Sequence, residues 1–84
     1  MSDTPEEINA AIISANLVAL HARLKHGLAA VTEASRAMTA DNQNLAIGNI
    51  LDLERLIPEC DALYRTILLL HRSRDMVVAK DGAA

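Results

Sequence analysis

The sequence predicts an all-α fold, an antiparallel hairpin of two long helices, and three observations lead to this prediction. About half of the 84 residues are hydrophobic, and most of these are alanine, leucine, isoleucine or valine, with Tyr64 as the single aromatic residue. This composition is typical of helical bundles rather than of sheets. Aliphatic residues also recur at spacings of three and four along both halves of the chain. A polar segment at residues 39–44 separates the two halves and indicates the turn.

The first helix is predicted over about residues 5–38. At its start, a threonine at position 4 precedes Pro5, and Glu7 follows the threonine by three residues. Such a pattern satisfies free backbone amides at a helix N-terminus and suits the helix dipole. Only Gly27 interrupts the helix-forming residues before Met38. A helix of this length would extend over roughly 50 Å.

Two apolar seams follow this helix, which is more than one neighbouring helix covers. The first is predicted to pack lengthwise against the second helix. It contains Ile13, Leu17, Leu20, Leu24, Gly27, Val31, Ala34 and Met38. The other lies on nearly the opposite side, and its small residues would let another backbone approach closely. It contains Ile8, Ile12, Ala15, Ala19, Ala22, His26 and Ala29.

The turn is predicted at residues 39–43, with Thr39 or Asp41 capping a second helix over about residues 44–79. The seam of this helix contains Ala46, Ile50, Leu53, Ile57, Cys60, Tyr64, Ile67 and His71, widened by Leu56, Leu63, Leu70 and Val77. Pro58 is expected to kink the helix, because proline removes a backbone hydrogen bond and crowds the preceding turn. The alternative is a break, giving three helices over about residues 5–38, 42–56 and 58–79.

The whole chain, residues 1–84, is predicted to form a single helical domain that pairs with a second copy. A chain this short has a marginal core, and both helices present more apolar surface than one hairpin buries. We therefore expect a homodimer, a four-helix bundle, or a complex with a protein partner. The residues expected at the partner or dimer interface are Ile12, Ala15, Ala19, Ala22, Ala29, Leu63, Leu70 and Val77.

Charge and composition argue against several classes of partner and location. The net charge of −3 is unfavourable for binding nucleic acid, which needs a basic surface. The most apolar window, residues 10–22, is shorter than the ~20 residues of a membrane span. The acidic start lacks the positive charge of a targeting segment, and the single Cys60 fits a reducing compartment. A cytoplasmic protein that does not bind membranes is expected.

No residue pattern predicts catalysis, a metal site or a cofactor site. His21 and His26 are five residues apart, which places them on different sides of a helix, whereas paired ligands need a spacing of three or four. Cys60 has no histidine at helical spacing, and the isolated glycines form no phosphate-binding loop. We therefore expect no catalytic residue, no metal and no cofactor, and the protein is predicted not to be an enzyme.

Residues 20–31 resemble the first helix of the dimerisation and histidine-phosphotransfer region of sensor kinases. In that family a phospho-accepting histidine precedes an arginine, an aliphatic residue and a lysine. The matching residues here are Arg23, Leu24, Lys25, Leu28, Ala29 and Val31, while the acceptor position falls on Ala22. The resemblance implies a dimeric four-helix bundle. It also makes His21, Arg23 and Lys25 an alternative polar site, with His21 as the phosphate carrier.

The function predicted from these features is protein binding. A small adaptor, inhibitor or chaperone-like regulator would present an apolar helix face to its partner, as in helix-in-groove recognition. The alternative function is histidine phosphotransfer or signalling by a four-helix bundle.

Overall fold

The computed structural model describes the backbone of residues 4–83 and the side chains of residues 4–73. This part of the chain is helical and contains no strand, with α1 at Pro5–Thr39, α2 at Gln43–Ile50 and α3 at Leu53–Ala83. α1 forms one arm of a hairpin, and α2 and α3 form the arm that returns beside it. The molecule is 65 Å long and only 27 by 16 Å across. The all-α class is confirmed, and the hairpin agrees with the structure.

The N-terminus of α1 is held by the capping pattern that the sequence predicts. The Thr4 hydroxyl oxygen accepts a hydrogen bond of 3.1 Å from the backbone amide of Glu7. In return, the Glu7 carboxylate accepts one of 3.2 Å from the amide of Thr4. Two amides that a helix start leaves unpaired are thereby satisfied.

The turn between the arms is short and uses a left-handed residue. Asp41 has a φ of 56°, and its amide donates to the Met38 carbonyl at 3.0 Å. The amide of Asn42 donates to the Ala37 carbonyl at 2.8 Å, which completes a Schellman motif at the end of α1. The Asn42 side chain then accepts a hydrogen bond of 3.1 Å from the amide of Leu45. Asn42 therefore caps α2, and the predicted caps Thr39 and Asp41 are wrong.

The returning arm is interrupted at residues 51–52, not at Pro58. α3 begins after Asp52, whose carbonyl accepts hydrogen bonds from Arg55 and Leu56 at 3.0 and 2.9 Å. Pro58 lies inside α3, in its second turn. Because proline has no amide hydrogen, α3 lacks one helical hydrogen bond there. α3 does not break at Pro58, so the position of the break in the three-helix alternative is wrong, whereas the kink at Pro58 stays a prediction.

The hairpin has a small core at its turn end. Of the described side chains, four are buried, and Ala46 and Leu56 are the most enclosed, with 3% and 2% of their surface exposed. Ala34, Ala37 and Ala46 form one cluster, against which Ile50 packs. Alanine lets the two arms approach closely but contributes little apolar area.

Half of the predicted α1 seam does not face the returning arm. The members that are buried or half-buried are Ile13, Leu20, Gly27 and Ala34. The exposed members are Leu17, Leu24, Val31 and Met38. Their places are taken by the residues one position earlier: Asn16, Arg23, Ala30 and Ala37. α1 is thus rotated so that these earlier residues face the returning arm. Two polar bonds favour this rotation, since Arg23 bonds Glu59 and Asn9 donates to the Leu70 carbonyl at 2.8 Å.

The seam of α3 differs from the prediction in the same way. Ile57 and Tyr64, which were expected inside the hairpin, are more than half exposed. The residues that were expected only to widen the seam are instead buried or half-buried: Leu56, Leu63 and Leu70. In both arms, large side chains of the heptad pattern lie outside the hairpin seam.

Candidate protein-binding face

Ion pairs mark one side of the hairpin, which we call the charged face. Arg23 donates a hydrogen bond of 2.9 Å to Glu59, and Arg55 contacts the same carboxylate at 3.2 Å. His26 lies 3.4 Å from the Asp52 carboxylate, which Arg55 also approaches at 3.7 Å. These five residues form a continuous chain of polar contacts from α1 across to α3. They fix which side of each helix lies on the charged face.

The Arg23 hydrogen bond lowers the pKa of the Glu59 carboxyl below its usual range, and Arg55 adds to this effect. Glu59 is also half-buried in the seam between the arms. The sequence predicts this pair, because Glu59 falls opposite Arg23 when the turn centres near residue 41, and the contact confirms the prediction. The companion pair of His21 with Asp61 is not formed; Asp61 instead accepts a hydrogen bond of 2.8 Å from Arg65, one turn away on α3.

The opposite side of the hairpin presents large aliphatic side chains. Leu24 and Leu28 are two residues from His26, and Leu17 is nine residues from it. These separations place all three roughly half a turn away from His26 around α1. Ile57 and Tyr64 lie in the same relation to Arg55 on α3. With Val31, these residues form what we call the apolar face. Between 45% and 68% of the surface of each member is exposed: Leu17, Leu24, Leu28, Val31, Ile57 and Tyr64.

The partner residues predicted on α1 lie on the side of the charged face, within about 60° of His26 around the helix. Ala19 is half-buried, and its carbonyl accepts a hydrogen bond of 3.2 Å from the Arg23 guanidinium. The other members of this alanine flank are exposed: Ile12, Ala15, Ala22 and Ala29.

Of the three partner residues predicted on α3, the structure describes the side chains of two. Leu63 and Leu70 are half-buried on the side of α3 that packs against α1. Val77 lies outside the described side chains.

Sequence reasoning did not select the members of the apolar face for partner binding. The seven-residue spacing of Leu17, Leu24 and Val31, and of Ile57 and Tyr64, predicts a seam inside the hairpin, whereas the structure leaves these side chains exposed.

The structure separates the three residues of the predicted polar site. His21 and Lys25, one turn apart, line a shallow groove together with Leu24 and Leu28. Arg23 points away from this groove into the seam, where Glu59 binds it. A phosphate at His21 would therefore have Lys25 beside it but not Arg23.

Groups suited to metal chemistry do not converge in the described part of the chain. No three histidine, cysteine or carboxylate side chains there lie close enough together to hold a metal ion. Cys60 is a free thiol, half-buried on α3 between Ile57 and Tyr64 in sequence.

None of the helices in the described residues combines the length and the apolarity that crossing a bilayer demands. Comparison of the chain with protein-family models, with curated proteins and with solved structures finds no match. The functional argument therefore depends on the surfaces of the hairpin.

Proposed function

We propose that this protein is a non-enzymatic helical protein-binding module that acts through its apolar face. One observation carries the proposal: six large side chains, drawn from both arms, are exposed together on one side of a narrow hairpin. Soluble proteins rarely leave a contiguous apolar area of this kind open, and such areas mark interaction sites. An adaptor, an inhibitor or a chaperone-like regulator would each use the face in this way.

The face suits a helical partner because its residues follow helical spacing. Leu17, Leu24 and Val31 are separated by seven residues, and so are Ile57 and Tyr64. An apolar stripe of another helix can pack against two such rows by interdigitation. The partner class is therefore an amphipathic helix or a helical bundle.

Site-specific photo-cross-linking tests this proposal. A benzoyl-phenylalanine is introduced at Leu24, and the chain is irradiated in the cells that produce it. We expect discrete adducts whose added mass is that of a protein. The matched control is the same substitution at Val18, which is also on α1 and is 69% exposed but points away from α3.

Adducts at Leu24 that are absent at Val18 support binding by the apolar face. Equal yields at the two positions, or no adduct at either, contradict it. Adduct mass identifies the occupant, because a second copy adds 9.0 kDa and another protein adds a different mass.

Histidine phosphotransfer is the second candidate, and the groove that holds His21 and Lys25 favours it. His21 is exposed, and Lys25 one turn later would neutralise part of the charge of a phosphate. Incubation with a labelled phosphoryl donor such as acetyl phosphate should then give an acid-labile phosphate on the chain. The label should disappear in His21→Gln and persist in His26→Gln. Absence of label, or its persistence in His21→Gln, excludes this role for His21.

A further inference from the structure

We propose that the occupant of the apolar face is a second copy of this chain, so that two hairpins form a four-helix bundle. The inference rests on the proposed function, because it names the partner of the same face. It differs from the interface that the sequence predicts, which used the alanine flank together with Leu63, Leu70 and Val77.

The hairpin exposes more surface than a compact monomer of its mass. Its accessible surface is 6550 Å², whereas a compact protein of its mass exposes about 4,900 Å². The excess of about 1,700 Å² lies within the range of about 1,000 to 2,500 Å² that each chain buries in an obligate dimer. Burial of such an area against a second copy would bring the exposed surface to that of a compact protein.

The core of the single hairpin points to a partner that is always present. Three of its four buried residues are alanines, and the fourth is Leu56. A core this small supplies little stability to a chain of 84 residues, and oligomerisation is a common solution. Only an identical chain is certain to be available wherever and whenever this chain is made.

The pattern of the apolar face is complementary to itself. Both of its rows have the seven-residue spacing of helices that pack lengthwise, and the rows lie on neighbouring antiparallel helices. In a two-fold dimer each row meets a row with the same spacing on the other copy. The side chains of one row then fit between the side chains of the other. The core of the resulting bundle would contain the leucines that the hairpin leaves outside.

Electrostatics favour the apolar face over the alanine flank as the dimer surface. The alanine flank adjoins the charged face, and the Arg23 guanidinium lies against the Ala19 carbonyl at 3.2 Å. Pressing a second chain onto that side would remove water from the Arg23 and Glu59 pair, at a desolvation cost that the pair itself does not recover. The apolar face carries none of these ion pairs, so its burial avoids this cost.

Solution mass and tyrosine quenching together test the dimer. Light scattering and sedimentation should give twice the chain mass of 9.0 kDa, falling towards that of a single chain on dilution. Tyr64 is the only aromatic residue and lies on the apolar face, so its fluorescence reports this surface directly. Acrylamide should quench Tyr64 weakly in the dimer and strongly after dissociation, over the same range of concentrations.

Charge substitutions locate the interface. Leu24→Glu places a carboxylate in the apolar face and should raise the dissociation constant by about 100-fold or more. Val18→Glu adds the same charge to the side of α1 that points away from α3 and should leave the mass unchanged. If Leu24→Glu unfolds by circular dichroism, then Leu24→Ala, which keeps helix propensity, should still weaken the dimer by at least tenfold.

Two results would overturn the inference. One is a folded species of 9.0 kDa at the highest concentration with Tyr64 freely quenched. The other is a dimer that survives Leu24→Glu but dissociates in Ala22→Glu, because the alanine flank would then be the interface. In the first case, photo-adducts of other masses at Leu24 would still support the proposed function, so the two proposals can fail separately.

Discussion

Arg23 of α1 donates a hydrogen bond of 2.9 Å to Glu59 of α3 from a position inside the hairpin seam. Arg23 stands one residue before Leu24, which the heptad pattern would place in that seam. Because successive residues of a helix differ in direction by about 100°, bringing Arg23 inwards turns Leu24 out. The same rotation exposes Leu17 and Val31, which share the spacing of Leu24. One polar contact is thus linked to the orientation of an entire row of the apolar face.

We expect Glu59 to give the stability of the hairpin a dependence on acid pH. Its pKa is lowered in the folded state, chiefly by the Arg23 hydrogen bond. A lowered folded pKa means that the contribution is complete above the ordinary glutamate pKa and is lost as pH falls through the folded value. Stability should therefore decline as pH falls from about 5 downwards, and Glu59→Gln should show a smaller decline. Urea denaturation at fixed chain concentration across this pH range measures the difference.

Arg23→Gln provides the control for this pH effect. Removing the principal cause of the lowered pKa should flatten the acid-side decline nearly as much as Glu59→Gln does. The double variant should then be no flatter than Glu59→Gln alone, because the Arg23 substitution acts on this decline through Glu59. An acid-side decline identical to wild type in Glu59→Gln would contradict the assignment.

The sequence was sufficient for features that depend on local residues. The capping pattern at Thr4 and the polar turn depend on neighbours within a few positions, and the structure contains both. The register of the arms also follows from the position of the turn near residue 41, which places Arg23 opposite Glu59. These inferences needed only periodicity and the assumption of a hairpin.

The composition of the seam was not predictable in the same way. Two apolar rows are present on α1, and periodicity alone does not show which row faces the returning arm and which faces outwards. The orientation of α1 in the structure agrees with the cross-helix bonds of Asn9 and Arg23, which a hydrophobic pattern does not include. The interruption at residues 51–52 was missed for a related reason, because Pro58 was treated as the only weak point of the arm.

The cross-helix bond of Asn9 should be worth more than a similar bond within α1. Asn9 donates to the Leu70 carbonyl across the hairpin, whereas Asn16 donates to the Ile12 carbonyl of its own helix, both at 2.8 Å. Asn9→Ala and Asn16→Ala gain the same helix propensity, so their difference isolates the cross-helix contact. We expect Asn9→Ala to be less stable than Asn16→Ala by about 1 kcal/mol in urea denaturation. Equal stabilities would show that the bond to Leu70 does not hold the arms together.

Asp41→Gly should stabilise the turn. Asp41 adopts a φ of 56°, in the left-handed region where a side chain is strained and glycine is not. The Schellman bonds at this position use only backbone atoms, so glycine can keep them. We expect a gain of about 0.5 to 1 kcal/mol in the free energy of unfolding. Asp41→Ala, which keeps the strain and loses the tolerance of aspartate for this region, should be destabilising; a gain in both variants would contradict this reason.

Two glycines inside helices allow a final pair of matched substitutions. A Cβ added at Gly27 would lie 3.4 Å from the Leu53 side chain, at ordinary contact distance, and one added at Gly48 would meet nothing within 4 Å. Alanine at either position should therefore raise the melting temperature, since glycine in a helix costs up to about 1 kcal/mol relative to alanine. Leucine substitutions should have different effects on stability at the two positions. Gly48→Leu should resemble Gly48→Ala, whereas Gly27→Leu forces the arms apart at Leu53 and should cost about 1 to 3 kcal/mol relative to Gly27→Ala. If Gly27→Leu were as stable as Gly27→Ala, α1 and α3 would not be packed as closely at this level as the hairpin requires.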